Sequence, residues 1–359
     1  MNEDCVKLTA YFDERQRSGG RFLTDAMLDL YGQQGIATSI VLRGIGGFGS
    51  RRHLRTDRSL SLSEDPPVAV VAVDTKAAIE GLFDPLRAIR KRALITLERA
   101  RLLGGGVGLI ELPDRPHETT KLTIYLGRKE RIHGAPGYVA VCDLLYRRGF
   151  DGASVFLGVD GTVHGHRERA RFFGANTDVP VMIIAVGAGE HIVEVLPELL
   201  ALLRHPLITV ERVRVCKRDG ELIEQPHALP GTDEHGLALW QKLMIHTSEA
   251  DRHDGVPVHR ALIHQLLQQK SVSGATILRA VWGFYGRREP QGDRLLRLTR
   301  RVPVVTIIAD TPRNIAESFD VVDELTGVHG LVTSEVVPAL VSVDGEDRHG
   351  GTRLAHHEY

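Results

Sequence analysis

The sequence predicts an α+β fold in which a β-α-β-β-α-β unit of roughly 95 residues occurs three times in tandem. Two observations lead to this prediction. Strand-like stretches recur in the same order along the chain, and amphipathic helices occupy the same places between them. With 359 residues, 42% of them hydrophobic, the chain can bury several small cores.

The two ends of the unit show the repetition most clearly. Each copy begins with a strand-like stretch that starts at a lysine, at residues 7–12, 121–127 and 242–247. Each copy ends in a Thr-x-Glu motif, with the glutamates Glu98, Glu211 and Glu335. Strand propensity alone specifies no glutamate, so the recurrence indicates duplication. We expect these glutamates to form a recurring ion pair, at the surface or between units.

The elements between these ends follow in a constant order. First helices are expected near 22–34, 136–148 and 257–269, where apolar residues recur three or four apart. Second strands are expected at 38–43, 152–157 and 274–279, each followed by a long polar loop. Third strands are expected at 67–73, 180–186 and 303–309, and second helices near 75–89, 189–203 and 312–325. This order is the ferredoxin-like plan.

Composition sets the domain boundaries and narrows the function classes. The expected units are 1–103, 121–218 and 237–340, with linkers at 104–120 and 219–236 and a flexible tail at 341–359. The net charge of −1 gives no basic field for nucleic acid. Three cysteines make a disulfide framework unexpected, and Cys142 is expected in the core. Without an apolar stretch of roughly 20 residues, we expect a cytoplasmic protein that does not insert into membranes.

Several motifs resemble the PII-like family known as domain of unknown function 190. They are His133-Gly134-Ala135-Pro136, the Gly-Ala-Ser-Val stretch at 152–155, the glycine-rich stretch Arg43-Gly44-Ile45-Gly46-Gly47-Phe48-Gly49 and the closing Ile-Thr-x-Glu. The copies differ, because Leu157 replaces the arginine found at 43 and 279, and Ala280 and Trp282 interrupt the glycines of copy three.

The resemblance implies an assembly and a function. PII-like proteins are usually homotrimers that hold small ligands, often adenine nucleotides, in clefts between subunits, and they contact partners through a long loop. Three copies in one chain would form an intramolecular pseudo-trimer, so a single chain would suffice. An adenine nucleotide is therefore the expected ligand. A partner protein is also expected; a membrane transporter or channel would fit, because genes of this family often neighbour ion-channel genes.

The loop after each second strand is the predicted ligand site. Glycines let backbone amides approach an anion, and arginines can bind a phosphate in a bidentate manner. The candidate residues are Arg43, Gly44, Gly47, Gly49, Arg51, Arg52, Gly158, Gly161, Arg167, Arg169, Arg279, Gly283, Gly286, Arg287 and Arg288. The alternative is that these residues only make a mobile, soluble surface loop.

Three functional hypotheses remain open. The first is a non-enzymatic PII-like regulator, since no catalytic motif is present. The second is a protein-interaction scaffold without a small ligand. The third is a divalent-metal-binding or metal-tolerance protein, for which His164 and His166 are candidate ligands that lack a third partner.

Overall fold

The chain folds into three β-α-β-β-α-β repeats, seen in a computed structural model that describes residues 3–56, 65–87, 92–103, 119–163, 166–167, 179–204, 206–292, 301–345 and 347–357. Each repeat has an opening strand, a first helix, a second and a third strand, a second helix and a closing strand. The predicted first helices are observed to within one residue at each end.

The long elements of each repeat are given in chain order. Repeat 1 contains Glu3–Asp13, helix Leu23–Gln33, Thr38–Phe48, Pro67–Thr75, helices Lys76–Glu80 and Phe83–Arg87, and Ala93–Leu103. Repeat 2 contains Thr119–Gly127, helix Gly137–Arg147, Gly152–Leu157, Asp160–Val163, Pro180–Ala188, helix Gly189–Leu202, Leu207–Arg212 and Arg214–Arg218. Repeat 3 contains Trp240–Ser248, helix Val258–Gln269, Ala275–Arg279, Trp282–Tyr285, Pro303–Asp310, helix Pro312–Leu325, Leu331–Val337 and Ala339–Asp344.

Short strands complete these elements. A short hairpin, built from two strands of two residues each, precedes each first helix. The paired strands are Arg17–Ser18 with Arg21–Phe22, Arg131–Ile132 with Ala135–Pro136, and Arg252–His253 with Val256–Pro257. Further short strands are Arg55–Thr56, His166–Arg167, Glu221–Leu222, Gln291–Gly292 and Asp347–Gly350.

Each repeat has the same antiparallel sheet. The opening strand lies between the third and closing strands, and the second strand pairs with the outer side of the third. The helices cover one face of each sheet with a separate apolar core. The opposite faces of the three sheets contribute together to one further apolar cluster, which includes Ile40, Phe156 and Leu278.

The second strands extend onto neighbouring repeats, which corrects the prediction of a loop at this point. Residues 44–48 pair with repeat 3, Asp160–Val163 pair with repeat 1, and Trp282–Tyr285 pair with repeat 2. The pairing partner of each extension lies on another repeat, so the local sequence pattern gave no sign of a strand.

The closing strands also extend onto neighbouring repeats, in the opposite cyclic direction. Residues 101–103 pair with the closing strand of repeat 2, Arg214–Arg218 pair with that of repeat 3, and Ala339–Asp344 pair with that of repeat 1. The three sheets therefore join into one curled antiparallel sheet that returns to its starting repeat.

The segment expected as a flexible tail is instead built into repeat 1. Asp347–Gly350 forms a hairpin with the preceding strand, and Ala355 is fully buried. The Ala355 N–H donates to the Pro338 carbonyl at 2.8 Å, and its own carbonyl accepts from Arg99 at 2.7 Å. The closing strand of repeat 1 needs a pairing partner on its outer edge, and this segment supplies it. Of the predicted linker at 104–120, residues 104–118 lie outside the described residues, and Thr119 and Thr120 begin the opening strand of repeat 2.

The second helices differ between repeats. Repeats 2 and 3 have continuous helices of 14 residues, whereas the helix predicted at 75–89 in repeat 1 is two helices of five residues each, with Gly81 between them. None of the described helices is long and apolar enough to cross a membrane.

Candidate functional site

Three of the predicted glycines lie where neighbouring repeats touch. A Cβ atom on Gly47 would lie 2.4 Å from the carbonyl oxygen of Ala275, one on Gly161 would lie 2.4 Å from that of Ser39, and one on Gly283 would lie 2.1 Å from that of Ala153. No side chain fits at such distances. These glycines therefore permit the close approach of strands from two repeats, a packing role that the anion-cradle prediction did not include.

The glycines three residues earlier in repeats 1 and 2 pack in a similar way. A Cβ on Gly44 would lie 2.8 Å from the Pro67 ring, and one on Gly158 would lie 2.8 Å from the Pro180 carbonyl oxygen. Gly49 is different, since no atom lies within 4 Å of its Cβ position. Gly286 has φ of +60° and lies against Asp219. Of the predicted glycines, Gly49 is thus the one with open space beside it.

Two predicted arginines form ion pairs within their own repeats. Arg43 contacts Glu14 at 2.9 Å, and Arg279 contacts Glu249 at 2.9 Å. Repeat 2 has Arg128 and Leu157 at the corresponding positions, so both partners changed together. This exchange explains the missing arginine of repeat 2 and indicates that Arg43 and Arg279 stabilise the end of the opening strand.

Two further arginines are engaged elsewhere. Arg52 donates to the carbonyl oxygens of Leu267 and Lys270 at 3.4 and 3.2 Å, at the C-terminal end of a helix in repeat 3. Arg288 donates to Asp251 at 3.0 Å and to the Tyr285 hydroxyl at 2.6 Å. Arg287 is exposed.

Some predicted residues cannot be placed. His164 and Arg169 lie outside the described residues, and only the backbone of His166 and Arg167 is described.

A cleft between repeats 1 and 3 brings several predicted residues together. Gly47, Gly49 and Arg51 line it from repeat 1, and residues 273–276 line it from repeat 3. The basic side chains around it are Arg51, His53, Arg55 and Arg92. Its apolar wall includes Phe12, Phe48, Leu94, Ile307 and Ala309. The enclosed volume is about 120 Å³, so only part of a nucleotide-sized ligand would be enclosed and the rest would lie over the basic rim.

Two carboxylates already contact this basic rim. Asp13 pairs with Arg55, and Asp344 accepts from Arg92 at 2.6 Å and from the Ser50 hydroxyl at 2.9 Å. These hydrogen bonds from Arg92 and Ser50 hold the pKa of Asp344 below its usual range. The rim therefore binds a carboxylate within the protein, which shows that its donors suit an anion.

The corresponding cleft of repeat 3 has different chemistry. Tyr285 occupies the position of Gly49, and Glu289 and Gln291 replace the basic residues His53 and Arg55. The Tyr285 hydroxyl contacts Asp251. Burial raises the pKa of Tyr285, and the negative charge of Asp251 raises it further. The two clefts therefore differ in charge as well as in shape.

The three repeated glutamates form a buried ring with three lysines. Lys7, Lys121 and Lys242 stand opposite them on the opening strands, and all six side chains are less than 10% exposed. Each lysine contacts the glutamate of its own repeat, at 2.8, 2.7 and 2.9 Å. Each also contacts the glutamate of another repeat: Lys7 with Glu211, Lys121 with Glu335, and Lys242 with Glu98.

This salt-bridge ring confirms that the glutamates form ion pairs between units. The pairs are buried and do not lie at the surface. The sequence analysis missed the lysines as partners, although each one begins a repeated strand. Burial alone would raise the pKa of Glu98 and Glu335, but the lysines hold both pKa values below the usual range. Burial would likewise lower the pKa of Lys7 and Lys242, but the glutamates raise both. For Lys121, burial outweighs its glutamates and lowers the pKa.

The carboxylate oxygens of Glu98, Glu211 and Glu335 lie within 4.8 Å of one another, a spacing that could suit a metal ion. The lysine ammonium groups contact these same oxygens and offset their charge. The ring therefore does not fit a cation.

The ring predicts a loss of stability in acid. Because the folded-state pKa values of Glu98 and Glu335 lie below those of the unfolded chain, their contribution is complete above about pH 5 and is lost as the pH falls through the folded values. Burial also lowers the pKa of His246 to about 4, which removes stability as the pH falls below about 6.5. We therefore expect a gradual fall of the urea midpoint from about pH 7 and a steeper fall below about pH 5. The fall should be shallower in Glu98→Gln; an identical pH profile would contradict this origin.

Comparison with known proteins gives a consistent match. Residues 5–102, 119–215 and 240–339 each match the profile of the family DUF190, described as "Uncharacterized ACR". A UPF0166 protein of Aquifex aeolicus is 31% identical over 99 residues, which span 27% of this chain and 90% of that protein. A UPF0166 protein of Methanocaldococcus jannaschii is 34% identical over 106 residues, which span 29% of this chain and 94% of that protein. Each of these relatives is thus about one repeat long.

Proposed function

We propose that this chain works as an intramolecular pseudo-trimer of ferredoxin-like, PII-like repeats, because it belongs to the DUF190 family and carries the family's domain three times. The strand order within each repeat, the cyclic exchange of extensions and the salt-bridge ring support this proposal. Each ring lysine bridges two repeats, as expected of three subunits around an axis.

The function that the geometry supports best is non-enzymatic regulation by a small anionic ligand in the cleft between repeats 1 and 3. The observation that carries this proposal is the combination of an apolar wall with Arg51, His53, Arg55 and Arg92 at one repeat boundary. An adenine nucleotide fits this combination, since its base needs an apolar surface and its phosphates need arginines.

The repeats are not equivalent in this proposal. In repeat 3, Tyr285 and its contacts with Asp251 and Arg288 occupy the region that Gly49 leaves open in repeat 1. Ligand binding should therefore be strongest at the boundary of repeats 1 and 3. Bound phosphate would compete with Asp344 for Arg92 and Ser50, which would change how the chain presents this surface to a partner protein.

Calorimetric titration of the full chain with ATP, ADP, AMP and inorganic phosphate tests the proposal. We expect one nucleotide to bind, and Arg51→Gln to weaken it by at least 10-fold, because a charge-assisted hydrogen bond to phosphate contributes about 1.5–3 kcal/mol. Arg287→Gln, the corresponding change in repeat 3, should weaken binding less than 2-fold, within about 0.4 kcal/mol.

Two results would overturn the proposal. One is the absence of heat and of any thermal shift with all four compounds, which would favour a scaffold without a small ligand. The other is equal weakening by Arg51→Gln and Arg287→Gln, which would place the site elsewhere.

A further inference from the structure

An apolar cavity lies where repeat 1 meets residues 236–240 and 339–353, and the proposed cleft does not explain it. Its volume is about 460 Å³, within the range of roughly 300–1,000 Å³ that is typical of small-molecule sites. It lies on the helix-covered face of the sheet, where Leu8, Ile95 and Leu97 form its floor. The cleft between repeats 1 and 3 lies on the other side of the strand Ala339–Asp344.

The broken second helix accounts for the cavity. In repeats 2 and 3 a continuous helix of 14 residues covers the sheet. In repeat 1 the second short helix, Phe83–Arg87, contributes only Phe83 and Leu86 to the cavity wall. The strand Ala339–Asp344 extends the floor beside Ile95 and Leu97, and the remaining cover comes from residues 236–240 and 348–353.

The mouth of the cavity is positively charged. Arg348 and Arg353 line it and are both exposed, so the cavity reaches the surface at these residues. Among the described residues that line the cavity, none is an aspartate or a glutamate. The inner wall is apolar, with Val341 beside Ile95 and Ala339 beside Leu97 on two paired strands. An apolar interior with a cationic entrance is complementary to an amphiphile that has an anionic head.

We propose that this cavity binds a medium-chain fatty acid, with the alkyl chain inside and the carboxylate at Arg353. The apolar wall stabilises the chain in proportion to the area it buries. An arginine binds a carboxylate through two parallel N–H···O bonds, which selects the acid over an alcohol of equal length. The proposal is independent of nucleotide binding at the cleft between repeats 1 and 3.

Trp240 gives a direct measurement, because it lines the cavity and the chain has only two tryptophans. In the full chain carrying Trp282→Phe, emission from Trp240 is followed during titration with decanoate and, separately, 1-decanol, both below micelle formation. We expect saturable binding of decanoate, at least 10-fold tighter than that of 1-decanol.

Variants locate the two parts of the ligand. Arg353→Gln should weaken the binding of decanoate about 10-fold and leave the binding of 1-decanol unchanged. Arg313→Gln, which changes an exposed arginine on the second helix of repeat 3, should alter neither affinity. Ala339→Leu, which fills the cavity, should weaken both ligands, with its fold checked by circular dichroism. An unchanged Trp240 emission would overturn the proposal, as would equal affinity for the acid and the alcohol or an unaltered affinity in Arg353→Gln.

Discussion

Replacing Glu98 with glutamine should lower the free energy of unfolding by about 3–5 kcal/mol, the cost of breaking a buried ion pair from one side. Glu98 contacts Lys242 at 2.6 Å and Lys7 at 2.8 Å, and its side chain is 3% exposed. Glutamine keeps the shape but removes one negative charge, so the ring of three lysines and three glutamates gains a net positive charge at a buried position. Urea unfolding at neutral pH measures the change.

A matched control separates burial from charge. Glu317→Gln removes one partner of the exposed pair with Arg313, whose N···O distance is 2.8 Å, and should cost less than about 0.5 kcal/mol. Adding Lys242→Met to Glu98→Gln restores the neutrality of the ring and should recover part of the lost stability. A cost for Glu98→Gln no greater than that of Glu317→Gln would show that the ring does not stabilise the assembly.

Replacing Gly283 with alanine should destabilise the contact between repeats 2 and 3 by roughly 3 kcal/mol, since it combines overpacking with backbone strain. The new Cβ would lie 2.1 Å from the carbonyl oxygen of Ala153, and φ at this residue is +146°. The carbonyl belongs to a strand of repeat 2 that pairs with residues 282–285, so relief requires the two strands to separate. The shift in the urea midpoint gives the magnitude.

Gly231→Ala is the appropriate comparison, because no atom lies within 4 Å of its Cβ position and its φ is not in the left-handed region. It should be neutral or slightly stabilising, by up to about 1 kcal/mol. If Gly283→Ala were equally neutral, the strand exchange between repeats 2 and 3 would be incorrect. A loss confined to ligand binding, with normal stability, would instead restore the anion-cradle role that the sequence suggested for this glycine.

The packing role of the glycines changes the interpretation of the glycine-rich stretch that follows each second strand. Gly47, Gly161 and Gly283 contact the same backbone position of a neighbouring repeat. The recurrence of these glycines is therefore explained by the packing of one repeat against the next. The residues that line the clefts differ between the repeats, as Gly49 and Tyr285 do. A chain with three linked copies can diverge in this way because each boundary is encoded separately.

The sequence by itself determined the number of repeats, their first helices and the strands that pair within each repeat. These features depend on local periodicity, which is 3.6 residues in the helices and two in the strands, and Cys142 lies in the core as its place on the apolar stripe indicated. The same reasoning found Arg51 and the glycines of the cleft, because arginine and glycine clusters are visible without a fold.

Only the tertiary structure decided the rest. Strand character at residues 44–48 depends on hydrogen bonds to residues 275–278, so no nearby residue shows it. The pairing of Lys7 with Glu211, the cleft beside Arg92 and the closure of repeat 1 by Ala355 all join positions far apart in the chain. The physical reason is common to all of them: buried charges and strand edges need partners, and the fold supplies these from another repeat.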